Sequence, residues 1–150
     1  QISYSYESNL PLFIKSLSND AYHEGWALYC ESLGEYKTYE SYYGKLVMEM
    51  IRSLRLVLDT GIHYYRWSFK KAFNYYKKYG FETDDQIKHA LLRYIAIPSQ
   101  ALSYKMGEKF FLDCIKKIKS KDKIKHFHKI ILESGPIPLS ILKSLIFLQF

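Results

Sequence analysis

The longest regular pattern of apolar residues lies between Tyr39 and Tyr65. Its apolar positions recur at intervals of three and four residues, which is the spacing of one face of an α-helix. They are Tyr43, Leu46, Val47, Met50, Ile51, Leu54, Val57 and Leu58. We therefore predict one long amphipathic helix here, with this stripe turned toward the core.

Further helices are predicted on both sides of the long one, because helix caps and chain breaks bracket other apolar segments. The predicted helices are Ala21–Leu33, a segment from Ser68 to Gly80, one from Thr83 to about Ile95, one from Ser99 to about Lys119, Lys123–Glu133 and a last one after Pro138. No segment alternates with the period of a strand. The sequence thus predicts an all-α, multi-helix fold, either one domain of residues 1–150 or part of a larger domain.

The predicted helix Ala21–Leu33 carries a carboxylate, Glu24, among apolar residues. The apolar face of the helix comprises Tyr22, Trp26, Tyr29, Cys30 and Leu33. The neighbours of Glu24 at helical spacing are also apolar: Ala21, Ala27 and Leu28. We therefore expect little of this helix to contact water. Ionised carboxylates are rarely fully buried unless they are paired or bind a metal. Glu24 is thus predicted to be a metal ligand or an ion-pair partner.

A polar stripe follows the long helix. Arg52, Arg55, Asp59 and His63 are spaced by three, four and four residues, so they share a face if the helix continues through Gly61. A glycine at this point suits a close approach by backbone or by a ligand. The stripe either lines a cleft or forms a surface ladder of ion pairs, and the residues alone favour the ladder.

Four sequence blocks, HEGWALYCESLG, RLVLDTGIHYYRW, RYIAIPSQALSYKMG and GPIPLSIL, occur in this order along the chain. Together they resemble the C-terminal part of the zinc-metallopeptidase-like family catalogued as domain of unknown function 885. Proteins of that family are similar to gluzincin peptidases. In them an HExxPGH motif supplies two zinc-binding histidines and a catalytic glutamate, and a downstream EGW block supplies a third, carboxylate ligand.

This resemblance implies that Glu24 is the third zinc ligand. The chain contains no HExxPGH motif, and its one His-Glu pair, His23-Glu24, is followed by Gly-Trp-Ala and cannot form an HExxH site. We expect the chain to be truncated, with Gln1–Tyr6 as the tail of the helix that begins with the absent motif. Zinc is expected only together with that segment, because one carboxylate cannot make a catalytic zinc site.

The resemblance also suggests roles for the polar side chains. His63 and Tyr104 are the candidate donors to the oxyanion of a tetrahedral intermediate, and Asp59 is expected to orient His63 through a hydrogen bond. Their other reading is a hydrogen-bonded contact between helices.

Substrate binding is assigned to the arginines, since a guanidinium matches a carboxylate in bidentate fashion. Arg52 or Arg55 would bind a peptide carboxylate. Gln100 shares a helix face with Tyr104 and is placed in the same site. The family has glycine where this chain has Ser99, so a different turn geometry is expected there.

Composition narrows the remaining classes. The net charge is +7, but the lysines are dispersed except near Lys116–Lys129 and no nucleic-acid motif accompanies them, so we predict a solvated surface and no nucleic-acid partner. Cys30 and Cys114 are interpreted as buried free thiols. No apolar run is long enough for a membrane span, and the compartment stays open.

The combined reading is the C-terminal part of a zinc-dependent peptidase-like hydrolase that acts on peptides in the complete protein. By itself the chain is predicted to bind zinc weakly and to hydrolyse nothing. The alternative is a non-catalytic helical interaction module, a truncated or decayed relative that keeps the packing surface. A weaker alternative is electrostatic binding to nucleic acid or to a membrane through Lys116–Lys129.

Overall fold

The structure, a computed structural model, describes residues 7, 9–118 and 121–150. All regular structure in these residues is helical, which confirms the all-α, multi-helix prediction. The helices are α1 (Leu12–Lys15), α2 (Asp20–Ser32), α3 (Tyr39–His63), α4 (Phe69–Tyr79), α5 (Asp84–Ala96), α6 (Gln100–Lys117), α7 (Ile124–Ser134) and α8 (Leu139–Leu148), with a 3-10 turn at Lys121–Lys123. The predicted helix tail at Gln1–Tyr6 lies outside the described residues.

Helix starts follow the capping chemistry of the sequence. The Asn19 side chain accepts a hydrogen bond from the Tyr22 backbone N–H at 3.1 Å and so caps α2. Ser68 caps α4 in the same way, through the Lys71 N–H. Thr83 and Gln86 form a capping box at the start of α5, where the sequence predicted that a helix begins.

The chain divides into two compact units. The first comprises Gln1–Ser32 and Met106–Phe150, and the second comprises Leu33–Lys105. Helix α6 therefore contributes its first residues to the second unit and the rest to the first.

Aromatic and branched side chains of α2, α6, α7 and α8 form the core of the first unit. Its buried members are Tyr22, Trp26, Tyr29, Phe111, Cys114, Ile118, Phe127, Ile130, Ile131, Ile137, Leu142 and Ile146. The Tyr22 hydroxyl is fully inside and donates to the Ile131 carbonyl at 2.7 Å, which satisfies it away from water. Helix α8 is part of this core through Leu142 and Ile146.

Two glycines let α2 and α6 approach with their backbones in contact. A Cβ added at Gly25 would overlap the Gly107 backbone, and one added at Gly107 would overlap the carbonyl oxygen of Ala21. Only glycine allows this close a crossing. Because Gly25 follows Glu24 directly, the crossing also fixes the backbone position of Glu24 relative to α6.

Helices α3, α4 and α5 pack against one another in the second unit. Their core holds Leu54, Leu58, Ala72, Tyr76, Ile87, Leu91, Tyr94 and Ala101. Helix α3 continues through Gly61 as predicted, and the Trp67 side chain packs closely against this glycine. A Cβ at Gly61 would lie 2.6 Å from the Trp67 ring.

Of the predicted apolar stripe of α3, only Leu54 and Leu58 are buried, both in the second half of the helix, and Val57 beside them is 38% exposed. Leu54 and Leu58 are 6% and 0% exposed, whereas Tyr43 and Leu46 are 64% and 48% exposed, against the prediction. The spacing predicted the face correctly, but the described residues of the second unit cover only the end of α3 that meets α4 and α5.

Two expectations for single residues, Leu33 and Cys30, were also wrong. Helix α2 ends at Ser32, so Leu33 lies beyond it and is exposed. Cys30 is exposed, while Cys114 is buried as predicted.

None of the described helices is both long enough and apolar enough to cross a membrane.

Candidate functional site

Glu24 lies on α2 in the first unit and is half-buried. Leu28, one turn further on, is buried, but Ala27 is exposed, so this side of α2 is partly open to water rather than enclosed as predicted. The Glu24 carboxylate makes no hydrogen bond and no ion pair with any residue that the structure describes. The described residues therefore provide no ion-pair partner for Glu24, one of its two predicted roles.

The opposite side of α2 is held firmly. His128 Nε2 lies 2.8 Å from the Tyr29 hydroxyl, and its ring meets that of Trp26 edge-on at 5.5 Å between centroids. Burial raises the pKa of Tyr29 to about 12, so its hydroxyl keeps its proton, and it donates to His128 in the tautomer whose Nε2 is unprotonated. These contacts leave α2 little freedom to rotate, so the packing of α2 sets the backbone position of Glu24.

The donor set tests whether a metal fits. Carboxylate oxygen is an accepted zinc ligand, and the unpaired Glu24 carboxylate fits one coordination position. The described ranges contain no cluster of three His, Cys, Asp or Glu side chains that could hold a metal ion. The described residues thus provide the Glu24 carboxylate as a possible donor, but no complete three-donor set for a metal.

Asp59 on α3 is the buried carboxylate of the second unit, with 2% of its surface exposed. Its two oxygens accept from the Ser99 backbone N–H at 3.1 and 3.3 Å. Burial raises the pKa of Asp59, while the Ser99 hydrogen bond and the nearby His63 act to lower it. Asp59 therefore anchors the turn before α6.

That turn keeps the geometry that a glycine would take. Ser99 has a φ of +69°, in the left-handed region, although a different turn was expected with serine there. The two contacts with Asp59 hold the Ser99 N–H in place. Asp59 thereby offsets the unfavourable backbone conformation and sets the start of α6, which carries Gln100 and Tyr104.

His63 is the last residue of α3 and is exposed. Its Nε2 donates to the Tyr94 carbonyl oxygen at 2.9 Å. The predicted hydrogen bond between Asp59 and His63 is wrong, because Asp59 pairs with Ser99 and His63 with Tyr94. In its neutral form His63 then has only an acceptor, Nδ1, left for a ligand.

Arg55 and Tyr104, 49 positions apart in the sequence, meet in the second unit. The Arg55 guanidinium carbon lies 5.1 Å from the centre of the Tyr104 ring. Arg55 also has a buried Nε without a hydrogen-bond partner. The Tyr104 hydroxyl has no hydrogen bond to the described residues. A guanidinium and a phenol with unused donors thus lie side by side.

A polar chain that the sequence did not reveal continues inward from Arg55. Burial raises the pKa of Tyr94, and the charge of Arg55 and a hydrogen bond with it act to lower that pKa. The Tyr76 hydroxyl donates to Glu82 Oε1 at 3.0 Å and also interacts with Tyr94. Burial is the main reason that the pKa of Tyr76 is raised. The available signal was that buried tyrosines on apolar faces need partners for their hydroxyls.

The remaining predicted residues have simple positions. Arg52 is half-buried on α3, and Gln100 is the half-buried first residue of α6. Six of the seven predicted residues therefore belong to the second unit, and Glu24 belongs to the first. Within the second unit the structure joins Arg55 to Tyr104 and ties Asp59 to the turn before Gln100.

Two comparisons with known proteins concern the sequence and the fold of this chain. A family model described as a bacterial protein of unknown function, DUF885, matches residues 1–146. The chain belongs to the DUF885 family. No curated protein matches the DUF885 chain.

A solved structure shares the fold over nearly the full length of the chain. It is the crystal structure of what is described as "the putative lipoprotein from Colwellia psychrerythraea", with a TM-score of 0.90 and 31% sequence identity. The similarity covers 99% of this DUF885 chain and 27% of that protein. The chain therefore spans about a quarter of the length of this relative.

Proposed function

We propose that this chain is the C-terminal part of a zinc-dependent peptidase-like hydrolase and that it supplies a carboxylate ligand and substrate-binding groups. The observation that carries the proposal is the Glu24 carboxylate, which is half-buried on a rigidly packed helix and has no partner among the described residues. An ionic group in such a position is favourable when a cation compensates it. Membership of the DUF885 family, on the segment that contains HEGW, supports the same reading.

Glu24 would hold the zinc as one of several ligands. The other ligands and the group that accepts the proton from water would come from residues outside those described, which contain no three-donor cluster. When bound, zinc would act as a Lewis acid on a peptide carbonyl and lower the pKa of a coordinated water. The similar structure belongs to a protein about four times as long as this chain, and this length is consistent with further groups outside the described residues.

The substrate-binding part of the proposal uses Arg55 and Tyr104. Arg55 is half-buried, and it is oriented by Tyr94 and by the face of Tyr104. A guanidinium held in this way binds a carboxylate in a defined orientation. A peptide substrate, which carries a terminal carboxylate, fits this chemistry.

Tyr104 is a better oxyanion donor than His63. The Tyr104 hydroxyl is without a partner, whereas the Nε2 proton of His63 is already donated to the Tyr94 carbonyl. His63 could donate through Nδ1 only as an imidazolium. We therefore assign donation to a developing oxyanion to Tyr104, with His63 fixing the end of α3 against α5.

The decisive experiment compares zinc content and peptidase activity in the complete natural protein. Zinc is measured by mass spectrometry after dialysis, and hydrolysis is followed on a mixture of peptides. Glu24→Gln should lose bound zinc and activity together, because the amide is neutral and a poor zinc ligand. Glu31→Gln, on the same helix, is the matched control and should keep both.

Two outcomes would reject the proposal. A complete protein that binds no zinc and cleaves no peptide is not a zinc peptidase. A Glu24→Gln variant that retains one equivalent of zinc would remove Glu24 from the ligand set while leaving the peptidase assignment intact.

One observation favours a second candidate, a helical interaction module. The first half of α3 exposes Tyr39, Tyr42, Tyr43 and Leu46, with exposed fractions of 93%, 51%, 64% and 48%. A row of exposed aromatic residues is typical of a surface that another polypeptide covers. Zinc content separates the two candidates, because the module needs no metal.

A further inference from the structure

A cavity in the first unit is lined by both charged and aromatic side chains. It lies between α6 and α8 and has a volume of about 330 Å³. Its lining includes Phe110, Cys114, Lys116, Lys117, Lys143 and Phe147. Pockets for small molecules start at roughly this size.

The charged part of the lining is predominantly cationic. Lys116, Lys117 and Lys143 are exposed, and none of them forms an ion pair with the described residues. The one carboxylate of the lining, Asp113, pairs instead with Lys109 at 2.9 Å. Lys109 is the main reason that the pKa of Asp113 is lowered, and Lys116 and Lys117 add to this effect. The cavity therefore has an excess of positive charge available to a ligand.

The remaining lining is apolar. Phe147 is 37% exposed, and the Lys117 ammonium lies 5.2 Å from the centre of its ring. Cys114 is 2% exposed and closes the inner end. Burial raises the pKa of the Cys114 thiol, while the charges of Lys143 and Lys117 act to lower it, so both ammonium groups lie within electrostatic range of the inner end. Charge and apolar surface thus converge on one space.

We propose that this cavity binds a small organic anion with an aromatic body, the carboxylate near Lys117 and Lys143 and the rings packed against Phe110 and Phe147. The two phenylalanine rings favour an aromatic body over a flexible chain, because stacked or edge-on ring pairs add to the burial of apolar area. The exposed ammonium groups select against neutral and cationic molecules. This proposal is independent of the zinc peptidase assignment, since none of these residues belongs to it.

Isothermal titration calorimetry with the complete protein tests the proposal, with naphthalene-1-carboxylate as the probe. Naphthalene-1-carboxamide is the uncharged analogue, and octanoate is the aliphatic carboxylate. The aromatic carboxylate should bind saturably at one site, and both comparison compounds should bind several-fold more weakly. A tighter octanoate complex would replace the aromatic body by an aliphatic one and overturn that part of the proposal.

Variants place the binding in this cavity. Lys143→Gln and Lys117→Gln should each weaken binding of the carboxylate by about three- to five-fold, the range for an ion pair near the surface. Lys125→Gln, an exposed lysine on α7, is the control and should leave affinity unchanged. Phe147→Ala should weaken the carboxylate and the carboxamide alike.

Three results would overturn the proposal. The first is no saturable binding of the carboxylate at millimolar concentration. The second is equal affinity for the carboxylate and the carboxamide. The third is an equal loss in Lys125→Gln and Lys143→Gln, which would mean general attraction to a basic protein instead of a site.

Discussion

Asp59 in the second unit and Glu24 in the first differ in burial and in hydrogen bonding. Asp59 in the second unit is 2% exposed and accepts two hydrogen-bond contacts from the Ser99 backbone N–H. Glu24 in the first unit is half-buried and makes no such contact with the described residues. One carboxylate serves the fold, and the other is left with its coordination capacity unused.

The difference shows that the apolar context of a carboxylate does not identify its role. Both residues lie on helices with apolar faces, but only Asp59 faces a backbone donor at a turn. A carboxylate that is satisfied by backbone is a structural group, whereas a carboxylate without a partner among the described residues is available to a ligand. The predictions below test the two halves of this contrast.

The largest expected effect concerns the frame that holds Glu24. Gly25→Ala places a Cβ inside the backbone of Gly107, and two backbones in contact have no flexible side chain that can yield. The free energy of unfolding should fall by at least about 3 kcal/mol. Chemical denaturation measures it.

Gly44→Ala is the control for this change. It is a helical glycine with nothing within 4 Å of an added Cβ, and it should stabilise the protein by about 0.5–1 kcal/mol. Equal behaviour of the two variants would show that the α2–α6 crossing is not tight.

The next effect compares the two carboxylates directly. Asp59→Ala leaves the Ser99 N–H without its acceptor and should destabilise by about 1–3 kcal/mol. Glu24→Ala removes no hydrogen bond or ion pair to the described residues and should change stability by less than about 0.5 kcal/mol. Both are measured by denaturant titration.

Asp59→Asn refines the comparison, since the amide keeps an acceptor oxygen and removes the buried charge. It should therefore lose less stability than Asp59→Ala. A larger loss in Glu24→Ala than in Asp59→Ala would reverse the contrast between the two units.

Much of the helical architecture followed from the sequence because its signals are local. The caps at Asn19, Ser68 and Thr83 act within three residues of themselves, and all three are present in the structure. The break at Pro98 is equally local. Burial is not local, which explains the wrong expectation for the first half of α3: spacing shows which face is apolar, but not how far neighbours cover it.

The sequence indicated which residues share a face in the candidate site, but not which hydrogen-bond partners they would have. The spacing of α3 placed Arg55, Asp59 and His63 on one face, but it did not show that Tyr94 and Ser99 would supply their hydrogen-bond partners. These partners come from segments 31 to 40 positions away, so no helical periodicity encodes them. Helical periodicity also cannot show roles that depend on residues outside the described ranges, such as the proposed zinc ligation by Glu24.

A smaller effect tests how Asp59 supports its turn. Ser99 has a φ of +69°, which costs an L-residue roughly 1–2 kcal/mol relative to glycine. Ser99→Gly removes this cost but gives the unfolded chain more freedom, so a net gain of about 0.5–1 kcal/mol is expected. Ser99→Ala keeps the strained conformation and should bring no gain. Thermal denaturation of both variants gives the answer, and equal stability of the two would show that the turn is not strained.

The smallest expected effect concerns the side of α2 opposite to solvent. Burial lowers the pKa of His128 below its ordinary value, so the folded protein binds fewer protons than the unfolded chain at mildly acidic pH. Stability should therefore rise with pH in this window, and the contribution is lost as the pH falls below about 6.5, where an unfolded histidine gains its proton. Because His128 is only half-buried, we expect less than about 1 kcal/mol. The difference in melting temperature between pH 5 and pH 7.5 should shrink in His128→Gln and persist in His126→Gln, the exposed histidine of the same helix. An unchanged difference in His128→Gln would mean that the packing around Trp26 and Tyr29 tolerates the imidazolium, and α2 would then be held less rigidly than the placement of Glu24 requires.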